Sequence, residues 1–319
     1  MGLYRSVRAV TGASGSGPID WPAVEEASKS ITDKGSLALT DAEQTGYATD
    51  VRDARNRVRE VAAIDFDLPD RIEIFNRHHW ISANAETFSR VMAPLEDTVG
   101  TAPGVARVVN TGSMSVALSF LARNVLGQYD PLLLAEGDVA DEHALYFVHP
   151  NIRKVSKTLD ADFDRFRRWI AFHEVAHAAE FGAAPWLSDH LESRMESAIE
   201  NLTEGSVDRD MITEIDTTMT AVEGYAELIM DRAFDEEYED LRDELEARRR
   251  GQGPVQKLIR QALGISRKRR QYERGKDFFE TVADARGVAA AGKVWEAEEY
   301  LPTDEEIDDP AKWLARVDA

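Results

Sequence analysis

Residues Arg168–Gly182 read RWIAFHEVAHAAEFG, and within them His173-Glu174-Val175-Ala176-His177 form the pattern HExxH. On a helix, residues four apart lie one above the other on one face, about 5–6 Å apart at Cβ. Two imidazoles so placed can close on one zinc ion, with the Glu beside the first aimed at a water on that ion. At about 100° per residue, Phe163, Phe166, Ile170, His173, Glu174, His177 and Phe181 share one face, roughly a third of the circumference. Both His and the Glu therefore point inward with the apolar side chains. The competing explanation is two satisfied core histidines and a coincidental Glu. A Glu buried without a partner is expensive. A metal removes that difficulty by taking both imidazoles and giving the carboxylate a water to hold.

Composition narrows the ligand set. The chain has 319 residues, 43% of them hydrophobic, enough for a sizeable core. There is no Cys, so thiolate zinc sites and disulfides are excluded and any metal is held by His, Asp or Glu. With 59 acidic and 38 basic residues the formal charge is −21. Such a field disfavours nucleic acid and anionic membranes. It suits an acidic cytoplasmic enzyme, or a protein kept soluble at high salt by surface carboxylates. No apolar run is long enough to span a bilayer. Residues 1–19 carry no apolar signal core and read as a loose Gly/Ser-rich lead-in, with a single unit expected over 20–319.

Along the chain, Asp20-Trp21-Pro22 marks a helix start. Thr40–Ile64 and Arg71–Leu95 read as helices, the second offering Ile74, Trp80, Phe88 and Met92 to a core. Val105–Val109 reads either as a short strand or as the start of a helix, and Ser113–Leu126 as an apolar helix stopped by Gly127. Gln128–Asp141 is expected to be a loop, and His143–His149 a strand. The site helix is expected to start at Asp160 or Asp162 and to stop at Gly182 and Pro185. Trp186–Leu202 and Asp216–Phe234 read as further helices, and 255–287 as mostly helical.

Zinc needs a third protein ligand and an open fourth position. On Thr217–Phe234, Met219, Glu223, Ala226, Met230 and Phe234 form one apolar stripe with a carboxylate in its middle. Glu223 is the economical third ligand. Gly224 beside it lets another backbone or a substrate come close. Glu227, one turn on, is expected to orient the free N–H of a ligand His. An ordinary amphipathic helix with Glu at its boundary is the plainer alternative, and Asp231 a less central ligand.

The chemistry follows from one zinc per chain. His173, His177 and Glu223 hold the ion, which lowers the pKa of a water to about 7. Glu174 takes that water's proton during attack on a carbonyl and returns it to the leaving amine. Tyr225, Tyr272, His149 and Asn151 are candidates for transition-state donors. The strand Leu145–Val148, with Tyr146, Val148 and Asn151, is a candidate edge for an extended peptide, and equally a plain core strand.

HEVAHAAEFGAAPWL and VEGYAELIMD resemble the paired helices of gluzincin metallopeptidases. In those the second helix supplies a Glu ligand, and an acidic residue four positions later bonds a ligand His, the pattern of Glu223 and Glu227. The chain more closely resembles a zincin-like family described as associated with biosynthesis of a deazaflavin coenzyme. That likeness extends through Arg77–Leu95, Val125–Asp130, Leu145–Ile152, Arg270–Phe278 and Leu301–Val317. It implies an α+β, predominantly α-helical, zincin-like fold with a short sheet beside the HExxH helix, and peptidase activity on a peptide or amide substrate. A non-hydrolytic scaffold on the same architecture, and an amidohydrolase for a small anionic metabolite, are the competing functions. Between Arg248 and Lys276 there are eleven Lys or Arg and one acid, Glu273. This local reversal of charge either receives an anionic substrate or neutralises acidic surface nearby.

Overall fold

The computed structural model describes residues 10, 17–62, 64–66, 69, 71–93, 104–130, 144–203, 208–234, 238, 241 and 268–317. In chain order the elements are α1 (Trp21–Ile31), α2 (Asp41–Ala62), β1 (Arg71–Phe75), α3 (Arg77–Val91), α4 (Gly104–Ala122), β2 (Gly127–Asp130) and β3 (Ala144–Val148). They continue as α5 (His149–Leu159), α6 (Phe163–Ala183), α7 (Trp186–Thr203), α8 (Arg209–Ala233), α9 (Lys268–Arg286), α10 (Val288–Gly292), α11 (Asp304–Asp308) and α12 (Pro310–Val317). The fold is α+β and mostly helical, with a three-stranded sheet. Among the described residues no helix is long and apolar enough to cross a membrane.

Contacts divide the chain into two compact units, each discontinuous in sequence. The first comprises Met1–Thr40, Pro69–Val155 and Met195–Asp208, the second Asp41–Leu68, Ser156–Arg194 and Arg209–Ala319.

The first unit holds the sheet, in the order β1-β3-β2. β3 pairs parallel with β1, from Arg71 opposite Ala144 to Phe75 opposite Val148, and antiparallel with β2. All five residues of β3, ALYFV, are buried, as a strand covered on both faces requires. This corrects the expectation of a peptide-binding edge at Tyr146 and Val148. Both sides of β3 already carry ladder partners, so no backbone groups remain for an added strand. Asn151 is committed as well: its amide donates to the carbonyls of Ala122 and Val125, and its side-chain oxygen accepts from Arg77.

Two local expectations also change here. Arg71–Phe75 is a strand, its Ile72 and Ile74 alternating with Arg71 and Glu73, and the helix begins only at Arg77. Asn76 makes that break, its side chain accepting from the backbone N–H groups of His78 and His79. Gly127 does not stop a helix. α4 ends at Ala122, and Gly127–Asp130 is the strand that pairs the second side of β3. Val105–Val109 belongs to α4. Trp21, Val24, Phe75, Trp80, Ile81, Leu118, Tyr146 and Val148 form this unit's core, with Phe88 and Met92 packed against it.

The second unit is helical. α6 starts where Asp162 accepts a hydrogen bond from the Arg165 N–H, and it runs through Gly182 to Ala183. It is not the one-faced helix expected from the sequence. Arg167, Trp169, Ala171, Phe172, Val175, Ala176, Ala178 and Ala179, outside the predicted stripe, are buried together with Phe166, Ile170 and Glu174 from it. α2 and α8 both pack against it. Near its start, Arg167 is almost fully buried and pairs with Asp50 on α2 at 2.6 Å and with Asp164 at 2.6 Å. Phe166, Phe172, Tyr225, Phe278, Phe279, Trp295 and Trp313 fill the core. At the C-terminal end Thr303 and Glu306 form a reciprocal cap on α11. Arg316 on α12 bonds Glu306 at 2.7 Å.

Candidate metal centre

All of the following groups lie within the second unit. His173 and His177 sit one turn apart on α6, their rings 4.7 Å apart between centroids and edge to face. α8 brings Glu223 to them, with 4.0 Å between His177 Nε2 and the Glu223 carboxylate. One ligand atom from each of the three residues lies within 4.8 Å of the others. Ligand atoms at about 2.0–2.2 Å around a tetrahedral zinc are about 3.3–3.6 Å apart. Closing onto an ion thus takes roughly an ångström of side-chain adjustment.

Burial separates these residues from their immediate neighbours on α6. In a helix enclosed almost all round, pointing inward is no distinction. Between Trp169 and Glu180, His173 and His177 alone are only partly covered, while Glu174 and Glu223 are buried. A partly covered imidazole pair backed by buried carboxylates leaves a side from which water and a substrate can reach an ion.

The electrostatics ask for a cation. Burial opposes a charge on His177, but the hydrogen bond it donates to Glu180 outweighs it, together with the charges of Glu180, Glu223 and Glu174. The imidazole is pushed up to about 9. Glu180 is itself pushed up to about 7 by burial, against the hydrogen bond and charge of His177. Three carboxylates thus converge on one imidazole, and the protein without metal answers with a proton. Two imidazoles and a carboxylate form the donor set that zinc takes in hydrolytic sites, and a dication answers the same surplus of negative charge. The residues present fit that group.

Glu180 is the residue that sequence reasoning missed. It has no exposed surface and contacts His177 Nδ1 at 2.9 Å through Oε2. With Nδ1–H donating there, Nε2 is the nitrogen left facing Glu223. The orienting part expected of Glu227 is therefore taken, at His177, by Glu180. Glu227 lies partly buried one turn beyond Glu223, where its charge acts on Lys276. A signal was available, since Glu180 follows His177 by three residues and shares its face of the helix. His173 is seated on Trp169, ring planes 4° apart and centroids 5.8 Å apart.

Other expected participants are placed elsewhere. Tyr225 is fully buried, its ring against Phe279 and Trp295 at 5.2 Å and 5.5 Å. Burial and the charge of Glu180 push its hydroxyl pKa up, and no surface is left for a substrate to touch. The side chain of Tyr272 lies outside the described residues, as does most of the basic stretch 248–276. Of that stretch, Arg274 pairs with Asp304 and Asp308, and Lys276 with Asp231 at 2.8 Å. Both serve to neutralise neighbouring acids. His149 and Asn151 are buried in other hydrogen bonds.

The profile of the zincin-like metallopeptidase family matches residues 19–212 and 200–314. Among solved structures, the chain is similar to a protein from Chloroflexus aurantiacus described as "a putative hydrolase with a novel fold". The two share 29% identity over 94% of this chain and 99% of that one, with a TM-score of 0.77. No curated protein matches the chain. The matched residues include His173, Glu174, His177 and Glu223, and nearly all of both units. The chain belongs to the zincin-like metallopeptidase family.

Proposed function

We propose that the protein is a zinc-dependent peptidase binding one zinc ion per chain. The observation that carries this reading is the convergence of His173, His177 and Glu223 within 4.8 Å, with Glu174 buried between the two His on the same helix. A zinc ion held there supplies a Lewis acid for the scissile carbonyl and a water acidified to about pKa 7. His173 and His177 offer ring nitrogens, and Glu223 a carboxylate oxygen. Glu180 holds His177 in the tautomer that leaves Nε2 unprotonated. Glu174 accepts the proton of the attacking water at its carboxylate and gives it to the leaving amine as the C–N bond breaks. Membership of the metallopeptidase family supports the same reading.

Elemental analysis and a peptide-library assay test it together. Wild type is expected to carry about one zinc per chain and to cleave peptides. His177→Ala is expected to lose the metal, and Glu174→Gln to keep it while losing hydrolysis. A wild-type protein that binds no zinc, or cleavage unchanged in Glu174→Gln, overturns the proposal. Zinc bound without any turnover favours a metal-bound scaffold instead.

A further inference from the structure

Gly224 directly follows the proposed ligand Glu223, and what approaches it is a backbone. A Cβ built on Gly224 would stand 2.3 Å from the Gly275 carbonyl carbon and 2.5 Å from Gly275 Cα. From the other side, a Cβ on Gly275 would stand 2.2 Å from the Thr220 carbonyl oxygen and 3.0 Å from Gly224 Cα. Helices α8 and α9 therefore cross in backbone contact at the turn that carries Glu223. Neither glycine is dictated by its own φ; each is dictated by lack of space. The three atoms nearest each built Cβ are all backbone, not a flexible tip that can step aside. The crossing is pinned by the Lys276–Asp231 ion pair at 2.8 Å, while Phe279 packs its ring against Tyr225 at 5.2 Å in the neighbouring core.

We infer that Gly224 and Gly275 are positioning residues for the metal, and that the α8–α9 crossing sets where Glu223 stands opposite His173 and His177. This rests on Glu223 being a zinc ligand, as proposed above. On the helical wheel Gly224 lies about 100° round from Glu223. α9 thus braces α8 from the side while Glu223 faces the His pair on α6. Ordinary contact begins at 3.4 Å, so a methyl at Gly224 displaces one backbone from the other by about an ångström. That displacement carries Glu223 sideways past His177. Metal sites tolerate about 0.2 Å in their ligand distances, so a shift of this size is felt in binding.

The test is zinc affinity by chelator competition, with the visible spectrum of the cobalt-substituted protein, in Gly224→Ala, Gly275→Ala and Phe279→Leu. Both alanine variants are expected to weaken zinc about 10–100-fold and to change the position or intensity of the cobalt bands. Phe279→Leu loosens the same pair of helices without separating their backbones. It is expected to lower the melting temperature while leaving zinc affinity and cobalt bands as in wild type. Alanine variants that lose stability but bind zinc within twofold, with unchanged bands, overturn the inference and leave the peptidase reading standing. Absence of zinc from wild type overturns that reading instead. If neither alanine variant folds, hydrogen exchange of wild type decides, because coupling between the crossing and the ligand is reciprocal. Zinc is then expected to slow exchange over residues 272–279 at least threefold more than over 310–317. Equal protection of the two stretches overturns the inference.

Discussion

Replacing Glu180 separates its role from that of an ordinary core residue. Its carboxylate is fully buried and bonds His177 Nδ1 at 2.9 Å. A hydrogen bond to a charged group contributes about 1.5–3 kcal/mol net, more when no water competes. If that support is felt mainly with metal bound, zinc affinity falls about 10–150-fold in Glu180→Leu, which overlaps the effect usual for a lost orienting partner. Glu180→Gln keeps an acceptor of the same shape but no charge, and is expected to lose about tenfold. Both are read by chelator competition at pH 7.5, with the melting temperature of the metal-free protein as reference. A purely structural Glu180 would lower the metal-free melting temperature and leave affinity alone. Affinity within twofold of wild type in folded Glu180→Leu refutes the reasoning.

Trp169 lies parallel to the His173 ring, so cobalt binding is expected to quench about one sixth of the emission of the six tryptophans. Trp169→Phe should abolish that quenching; quenching that survives intact shows the stack is not the reporter. Asp50 and Arg167 form a buried pair at 2.6 Å, and Arg167→Met, which leaves Asp50 without its main cation, is expected to cost about 3–5 kcal/mol in urea unfolding. A loss under about 1 kcal/mol would mean the pair does not anchor the site helix. Burial raises the Glu306 pKa, but the hydrogen bonds from Arg316 and the Thr303 backbone bring it below the usual 4.5. A depressed carboxylate contributes stability that is full above pH 4.5 and fades as pH falls through the lowered value. Melting temperatures measured from pH 6 to pH 3 should drop less steeply in Glu306→Gln than in wild type, and parallel curves would contradict this.

Much of the candidate site was legible in the sequence because it is written at helical spacing. The interval from His173 to His177 is one helical turn, and the stripe around Glu223 marks a carboxylate among apolar neighbours. Asp162, one of the two caps expected for the site helix, and Asp20, at an expected helix start, each accept from a backbone N–H three residues on, since a cap is a contact over three residues. The strand at Arg71–Phe75 was less legible because five residues of alternation are too few to outweigh the helical run that follows.

What the sequence by itself determined is local: helix faces, caps, and a His-Glu-His set with carboxylate as its natural complement in a chain without Cys. Periodicity says which residues share a face and nothing of what that face meets. Only the tertiary structure decided that β3 has partners on both sides, that Tyr225 is sealed among aromatic rings, and that Glu180 holds His177. It also decided that the space beside Gly224 is taken by the backbone at Gly275. Each of these depends on the approach of segments distant in sequence, which close packing of the whole core sets.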